Sequence, residues 1–516
     1  MERKRRTGIR MLSLAAALLL AAVFSGCSPK PSAPAELPAS SATPPPAEAQ
    51  NDATLSVQLY FPSADGRALS GETRTVPWPK NTSRALCALR ALCDGPQSDQ
   101  LKAAVPEGWS IQDAELSGDV CEVYFSGSAA SDEELLIARA AVAATVGANE
   151  EIGNIDLFLN GMQPGYNGRP LGVLQPIDEP LDVYLKEYAP QASTGEAEGF
   201  ENISVQLFFA DSAGALLLSD VRAFSYKTQV TGDIVIIGLL GELFKGPVES
   251  NGREPVLPSD MQLTKCALLP KATDSSLSVP LAADTSNGSL VELHFTKPAG
   301  DFNEALAYAS IVDTVTSFWP NTEGVRIYLD DQPVLVDDVL KNGEEGSVFL
   351  RSDFKGMLGH TATLLFPDQD GVGLYPVLRS MPQNEVYDPL ARLRALFTGP
   401  ADPGTPLSIF SAEDVRSVAI EGDTAVVSWK AGFYQKLLDF VSAGESTLPQ
   451  NTRAQMAVFS IVDTLASMPG VERVWMLEEG ARIDKSVSLL YLGNALFYNP
   501  GLLLTGEDTS PQDGLG

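Results

Sequence analysis

The side chains able to make or break bonds are few. Two histidines and five cysteines are spread over 516 residues. His294 and His360 belong to no His-Glu-x-x-His run and to no His/Cys cluster, so zinc chemistry is not expected. His294 alternates with Leu293 and Phe295, as a half-exposed residue of a strand does. No Gly-x-Ser-x-Gly elbow, phosphate-binding Gly-Lys-Ser/Thr loop or dinucleotide fingerprint is present. Asp368-Gln369-Asp370-Gly371 matches the middle of a calcium loop. In that register, however, the first and last ligand positions fall on Phe366 and Val377, whose side chains have no oxygen to give. The stretch reads instead as a hairpin turn. No acidic pair stands out as a glycosidase dyad would. No catalytic, metal or cofactor-binding residue is assigned, and the chain is read as non-enzymatic.

The cysteines divide into two groups. Cys87 and Cys93 lie six residues apart in a helical stretch, on different faces, and are badly placed to bridge. Cys87, Cys93 and Cys121 sit among apolar residues and are expected to be buried free thiols, as is Cys266. A Cys93–Cys121 bridge is the alternative, and the sequence leaves the oxidation state open. Cys27 is different. It follows the cationic residues Arg3, Lys4, Arg5, Arg6 and Arg10 and the apolar run 12–24, and ends the string Phe24-Ser25-Gly26-Cys27. That order is similar to a bacterial lipoprotein signal, with Phe24 where leucine is usual. The similarity implies a diacylglyceryl (palmitate-type) lipid on Cys27, residues 1–27 as signal, and an anchor stronger than one acyl chain supplies. Residues 28–52, rich in Pro, Ala and Ser, cannot bury a core and are expected to be a disordered tether.

The elements that must position everything else recur. Ser56-Val57-Gln58-Leu59-Tyr60-Phe61 returns as Ser204-Val205-Gln206-Leu207-Phe208-Phe209 and, more loosely, as Thr361-Ala362-Thr363-Leu364-Leu365-Phe366. Each copy alternates apolar and polar residues as a half-buried strand does. Each is followed by an Asp/Gly turn, an Arg, and a Leu-rich helical stretch ending in Gly95-Pro96, Gly246-Pro247 or Gly399-Pro400. Further on, Ser117-Gly118-Asp119 and Glu421-Gly422-Asp423 read as hairpin turns. Second helices are expected from Asp132, Phe302 and Arg453. Within them Thr145, Thr314 and Thr464 hold equivalent places, read as packing positions whose hydroxyls bond a carbonyl one turn back. Asp313 and Asp463, just before two of them, read as solvated charges. A repeat of this length means tandem domains. The expected fold is α+β: three small α/β sandwiches, each a few-stranded sheet covered by two helices. They span 53–190, 202–340 and 360–500, with polar breaks between and a disordered tail over 501–516.

The ordered set resembles the GerMN domain. The opening is carried by Leu59-Tyr60-Phe61-Pro62, Asp65-Gly66 and Gly95-Pro96. The ending is carried by Ile461-Val462-Asp463-Thr464-Leu465 with Pro469-Gly470-Val471, and by Ile311-Val312-Asp313-Thr314-Val315 with Gly324-Val325-Arg326. The first copy has Val142-Ala143-Ala144-Thr145-Val146 there, without the Asp. The resemblance implies a ring-building-motif-like fold, a place in sporulation or spore germination, and no catalytic residues. It implies a scaffold at the extracytoplasmic face of the cell membrane, held by lipid on Cys27 and contacting other membrane or sporulation-assembly proteins. A solute- or cell-wall-polymer-binding lipoprotein is the alternative. The net charge of −30 makes nucleic acid an unexpected partner, since such a surface repels phosphate. Neither a small-molecule ligand nor the partner's identity is legible.

Overall fold

Each recurring strand is an opening strand, paired in an antiparallel hairpin with the strand that follows it. The pairs are Thr54–Pro62 with Leu69–Pro77, Phe200–Asp211 with Leu217–Lys227, and Gly359–Pro367 with Leu374–Pro382. The computed structural model describes residues 54–504, apart from 80–81, 151–152, 162, 167–168, 176, 178–179, 188–199, 228–229, 270–289, 320–321, 344–345, 369–372, 400–408 and 444–448. The Cys27 signal, the tether and the turn at Asp370 fall outside the described residues, as does the linker expected between the first two segments.

After each hairpin comes a first helix: Arg84–Cys93, Gly232–Phe244 and Pro389–Thr398. A second sheet follows. Its third and fourth strands are antiparallel: Ser110–Ser117 with Val120–Ser126, Leu263–Leu269 with Leu290–Phe295, Val415–Glu421 with Thr424–Trp429. The chain then crosses over through a second helix (Asp132–Asn149, Glu304–Phe318, Gln450–Ala466). It returns as a closing strand parallel to the fourth: Asn154–Leu159, Gly324–Leu329, Arg473–Glu478. The order β-β-α-β-β-α-β is therefore written three times, an α+β architecture. Start signals explain the helices: Ser131 and Glu134 form a capping box at the first segment's second helix, and Asn303 caps its counterpart in the second segment.

Among the described residues three large hydrophobic cores form, with a small fourth cluster at Ala362, Met381, Val386 and Ala391. One runs from Leu55 to Tyr184, one from Ile203 to Leu358, and one from Leu364 to Leu492. Two expected boundaries shift. The second core does not stop at residue 340, because Phe349, Phe354 and Leu358 are buried in it. Strand Val348–Phe349 pairs with Val325 and Arg326, and the 3₁₀ turn Arg351–Met357 follows. The chain also stays ordered past residue 500: Pro500–Leu502 is a 3₁₀ turn, and the Leu504 N–H donates to the Leu374 carbonyl at 2.8 Å. In the second segment the extension pairs with the closing strand; in the third, Leu496–Phe497 does so, and the Asn499 N–H that follows donates to Asp463 of the second helix. The third segment also holds a further helix, Phe433–Ser442, with Phe433, Leu437 and Val441 buried at four-residue intervals.

The described residues belong to one compact unit. The Gly422 N–H donates to the Thr54 carbonyl at 2.9 Å, tying the third segment's hairpin turn to the first segment's opening strand. Trp78 packs against both of those cores. Among the described residues no helix is long and apolar enough to cross a membrane.

Candidate functional site

The place where all three segments meet is the hairpin turn Ser117-Gly118-Asp119. Gly118 has φ +57°, and a Cβ there would stand 2.6 Å from the Ser219 Cβ, so only glycine lets the turn approach the second segment this closely. The backbone is then satisfied from outside its own segment. The Gly118 N–H donates to Gln383 Oε1 at 2.9 Å, and the Asp119 N–H donates to Ser219 Oγ at 2.6 Å. The Gln206 amide donates to the Ser117 carbonyl. The carboxylate of Asp119 takes Arg253 Nη2 at 2.7 Å on one oxygen and has His360 Nδ1 at 3.0 Å from the other. Burial pushes this carboxyl up, but the His360 and Arg253 contacts outweigh it and hold the group below its ordinary range.

Ser117 links this turn to a second cluster. Its hydroxyl accepts from Arg351 Nη2 at 2.6 Å, and the same nitrogen reaches Ser317 Oγ at 3.1 Å. Arg351 Nη1 pairs with Glu122, which also accepts from the Tyr124 hydroxyl at 2.7 Å. Asp313, fully buried on the second segment's second helix, has Arg351 Nε 3.9 Å away, too far for a hydrogen bond. Neither of its oxygens has a hydrogen-bond partner. Burial pushes Asp313 up to about 7 against the pull of Arg351. Asp156, buried beside Glu122 on the neighbouring strand and bonded to Gln163 Nε2 at 2.6 Å, is pushed up to about 7 in the same way. One guanidinium thus faces three acids across a joint between two segments. At the rim, Lys355 reaches Glu115 at 2.7 Å.

The residues that recur serve the frame. Apart from the short strand Arg253–Glu254 at the end of the second segment's copy, each opening strand is laddered on one edge by its hairpin partner, and its other edge needs partners. The second helix supplies them: the N–H groups of Tyr60, Phe208 and Leu365 donate to the hydroxyls of Thr145, Thr314 and Thr464 at 3.1, 3.3 and 2.9 Å. Those threonines were expected to bond a carbonyl one turn back; instead they accept from the neighbouring strand. The recurring Arg has a matching use. Arg74 donates to the carbonyls of Ala91 and Gly95 at 2.9 and 2.6 Å, Arg379 to those of Ala395 and Gly399, and Arg222 to that of Gly246. A cation thereby closes the C-terminal end of each first helix, where Gly95, Gly246 and Gly399 all take positive φ.

Asp313 and Asp463 are not solvated. Asp463 is 1 % exposed, accepts from the Asn499 N–H at 3.0 Å, and is pushed up to about 7 by burial. The cause is the extension after each closing strand. His294 is half-buried as expected, stacked on Tyr328 at 4.3 Å and hydrogen-bonded near Asp331 (2.9 Å) and Glu292 (3.3 Å). Cys87, Cys93, Cys121 and Cys266 are free thiols, and burial raises all four, Cys93 to about 11 and Cys266 to about 12. Thiols held that far above neutrality are poor nucleophiles. Arg351, Arg253 and Asp119, which make the joint, carried no sequence signal beyond the glycine beside Asp119. Among the described residues no three His, Cys, Asp or Glu side chains are grouped to hold a metal ion.

A thrice-written β-β-α-β-β-α-β segment, tied to its neighbours by polar turns, defines a class of tandem small-domain proteins. The sequence model of the Germane family, described as sporulation and spore germination, matches residues 58–164 and 363–484. The two matched stretches lie in the first and third segments and together cover less than half of the chain. Similar solved structures include the tandem GerMN domains of the sporulation protein GerM from Bacillus subtilis. That likeness has 17 % identity and a TM-score of 0.23, covering 57 % of this chain and 98 % of that one. The first GerMN domain of the same protein is 20 % identical, covering 24 % of this chain and 95 % of that one, with a TM-score of 0.19. A putative lipoprotein from Clostridium perfringens is 15 % identical, covering 27 % of this chain and 87 % of that one, with a TM-score of 0.17. No curated protein matches.

Proposed function

We propose that this chain is a non-enzymatic, lipid-anchored scaffold on the extracytoplasmic face of the cell membrane, acting in sporulation or spore germination through protein–protein contact. The observation that carries the reading is the pair of family matches in separate segments of one chain. The sequence at Cys27 supports the anchor: a basic start, an apolar run, small residues and then the cysteine. The middle segment, which repeats the same element order, is proposed as a third GerMN-like unit. The polar joints support action through surfaces, since they hold several domain faces in a fixed relation. The partners proposed are other membrane or sporulation-assembly proteins.

The test replaces Cys27 with Ala in a tagged copy and follows membrane fractionation, sporulation and germination. The reading expects release from the membrane and a defect like that of the deletion. A variant that stays membrane-bound refutes the lipid anchor. A deletion that leaves both processes unchanged refutes the assignment to them.

A further inference from the structure

We infer that the joint holding the first segment to the other two is proton-sensitive, closed at mildly acidic pH and loosened as pH rises. Two clusters with different chemistry support it, and they share the turn at Ser117. In the first, Glu122 and Asp313 flank the guanidinium of Arg351, Asp156 stands opposite Glu122 on the neighbouring strand, and all three acids are at most 6 % exposed. Arg139, from the first segment's second helix, is the other cation acting on Asp156; its Nη2 donates to the carbonyls of Leu171 and Gly172. Tyr124 contributes a hydroxyl, already given to Glu122. If all three acids were ionised, the pocket would hold more negative charge than Arg351 neutralises, with Asp313 lacking any hydrogen bond. A proton on Asp156 and another on Asp313 remove that excess.

The second cluster has the same sign by a different route. His360 faces Asp119 at 3.0 Å, with Arg253 on the other carboxylate oxygen and the Tyr387 ring stacked 6.5 Å away. The pair is ionic only while the imidazole carries its proton, so it weakens as pH rises. For the buried acids, the value near 7 in the closed joint lies above the ordinary carboxyl value of 3.8. Closure therefore binds protons, and its stability falls as pH rises through neutrality.

The experiment is hydrogen exchange on the full-length chain in detergent, corrected for intrinsic rates, at about pH 6 and about pH 8.5. Protection over 117–124 and 351–357 is expected to drop about tenfold or more across that interval, because each linked proton is worth up to a factor of ten per pH unit. The strand Leu263–Leu269, outside the joint, serves as internal reference and is expected to keep its protection. In the Asp156→Asn/Asp313→Asn double variant the drop is expected to shrink to within about twofold, with His360→Gln removing part of it. A flat wild-type profile overturns the inference, as does a double variant that loses protection as steeply as the wild type. Should the double variant not fold, the wild-type profile and the Asp156→Asn single variant decide the same question by the same outcomes.

Discussion

The fourth and closing strands of the first two segments present the same outward face with opposite solutions. In the first segment Glu122 stands opposite Asp156, and Tyr124 stacks on Phe158 at 4.9 Å. In the second, Glu292 stands opposite Arg326, and His294 stacks on Tyr328 at 4.3 Å. The aromatic step is retained and the charge beside it is not. The second face is satisfied by its own strands, with Arg326 Nη1 3.5 Å and Lys265 Nζ 3.6 Å from Glu292. The first face has acid opposite acid and must borrow Arg351 from the chain that follows the second segment. One substituted partner, Asp156 in place of an arginine, thus turns a free sheet face into a joint.

The comparison can be broken most sharply at the arginines. Arg351→Met is expected to destabilise the protein by about 3–5 kcal/mol, because it strands Glu122 and Asp313 in a buried site. Arg326→Met, at the self-sufficient face, is expected to cost at most about 1 kcal/mol. Denaturant midpoints of the two variants, measured side by side, check both. Next in size is a pH effect in the third segment, where the acid was also buried by a returning extension. Asp463 is pushed up to about 7 by burial, so the folded state holds its proton more tightly than the unfolded chain does. Stability then falls as pH rises from about 4 through about 7, and Asp463→Asn should flatten that fall in thermal melts.

Smaller effects test what the segments share. Arg74→Met and Arg379→Met each remove two bonds to helix-end carbonyls and are expected to cost about 1.5–3 kcal/mol. Arg222→Met, which loses the single bond to Gly246 and the ion pair to Asp220, is expected to cost less. Thr464→Val keeps the shape but leaves the Leu365 N–H without an acceptor, at about 1–2 kcal/mol. Exchange of that amide should quicken in the variant while the hairpin ladder between Gly359–Pro367 and Leu374–Pro382 stays protected.

The frame was legible because it obeys local rules. Leu55, Val57, Leu59 and Phe61 alternate, and all four are buried. The acidic start at Asp132 announces a helix, and Gly95-Pro96 ends one. An Arg after each turn was visible too, but the structure was needed to pick out Arg74, Arg222 and Arg379 and their targets, the carbonyls at helix ends. What stayed hidden depends on chain far away in sequence. Asp313 and Asp463 look like ordinary helix-surface acids until residues 351–357 and 496–502 come back to cover them. His360 is a lone histidine until Asp119, 241 residues earlier, is set against it. Hydrophobic period reports which face of an element is buried against its own sheet and is silent about a second covering layer.

The most direct measurement is a double-mutant cycle between Glu122→Gln and Arg351→Met, read as unfolding free energies of the full-length chain. The account of segments tied by a borrowed arginine predicts a coupling of about 2 kcal/mol or more. A coupling below about 0.5 kcal/mol would mean the two segments fold and stand without this contact, and the joint would not be what holds them.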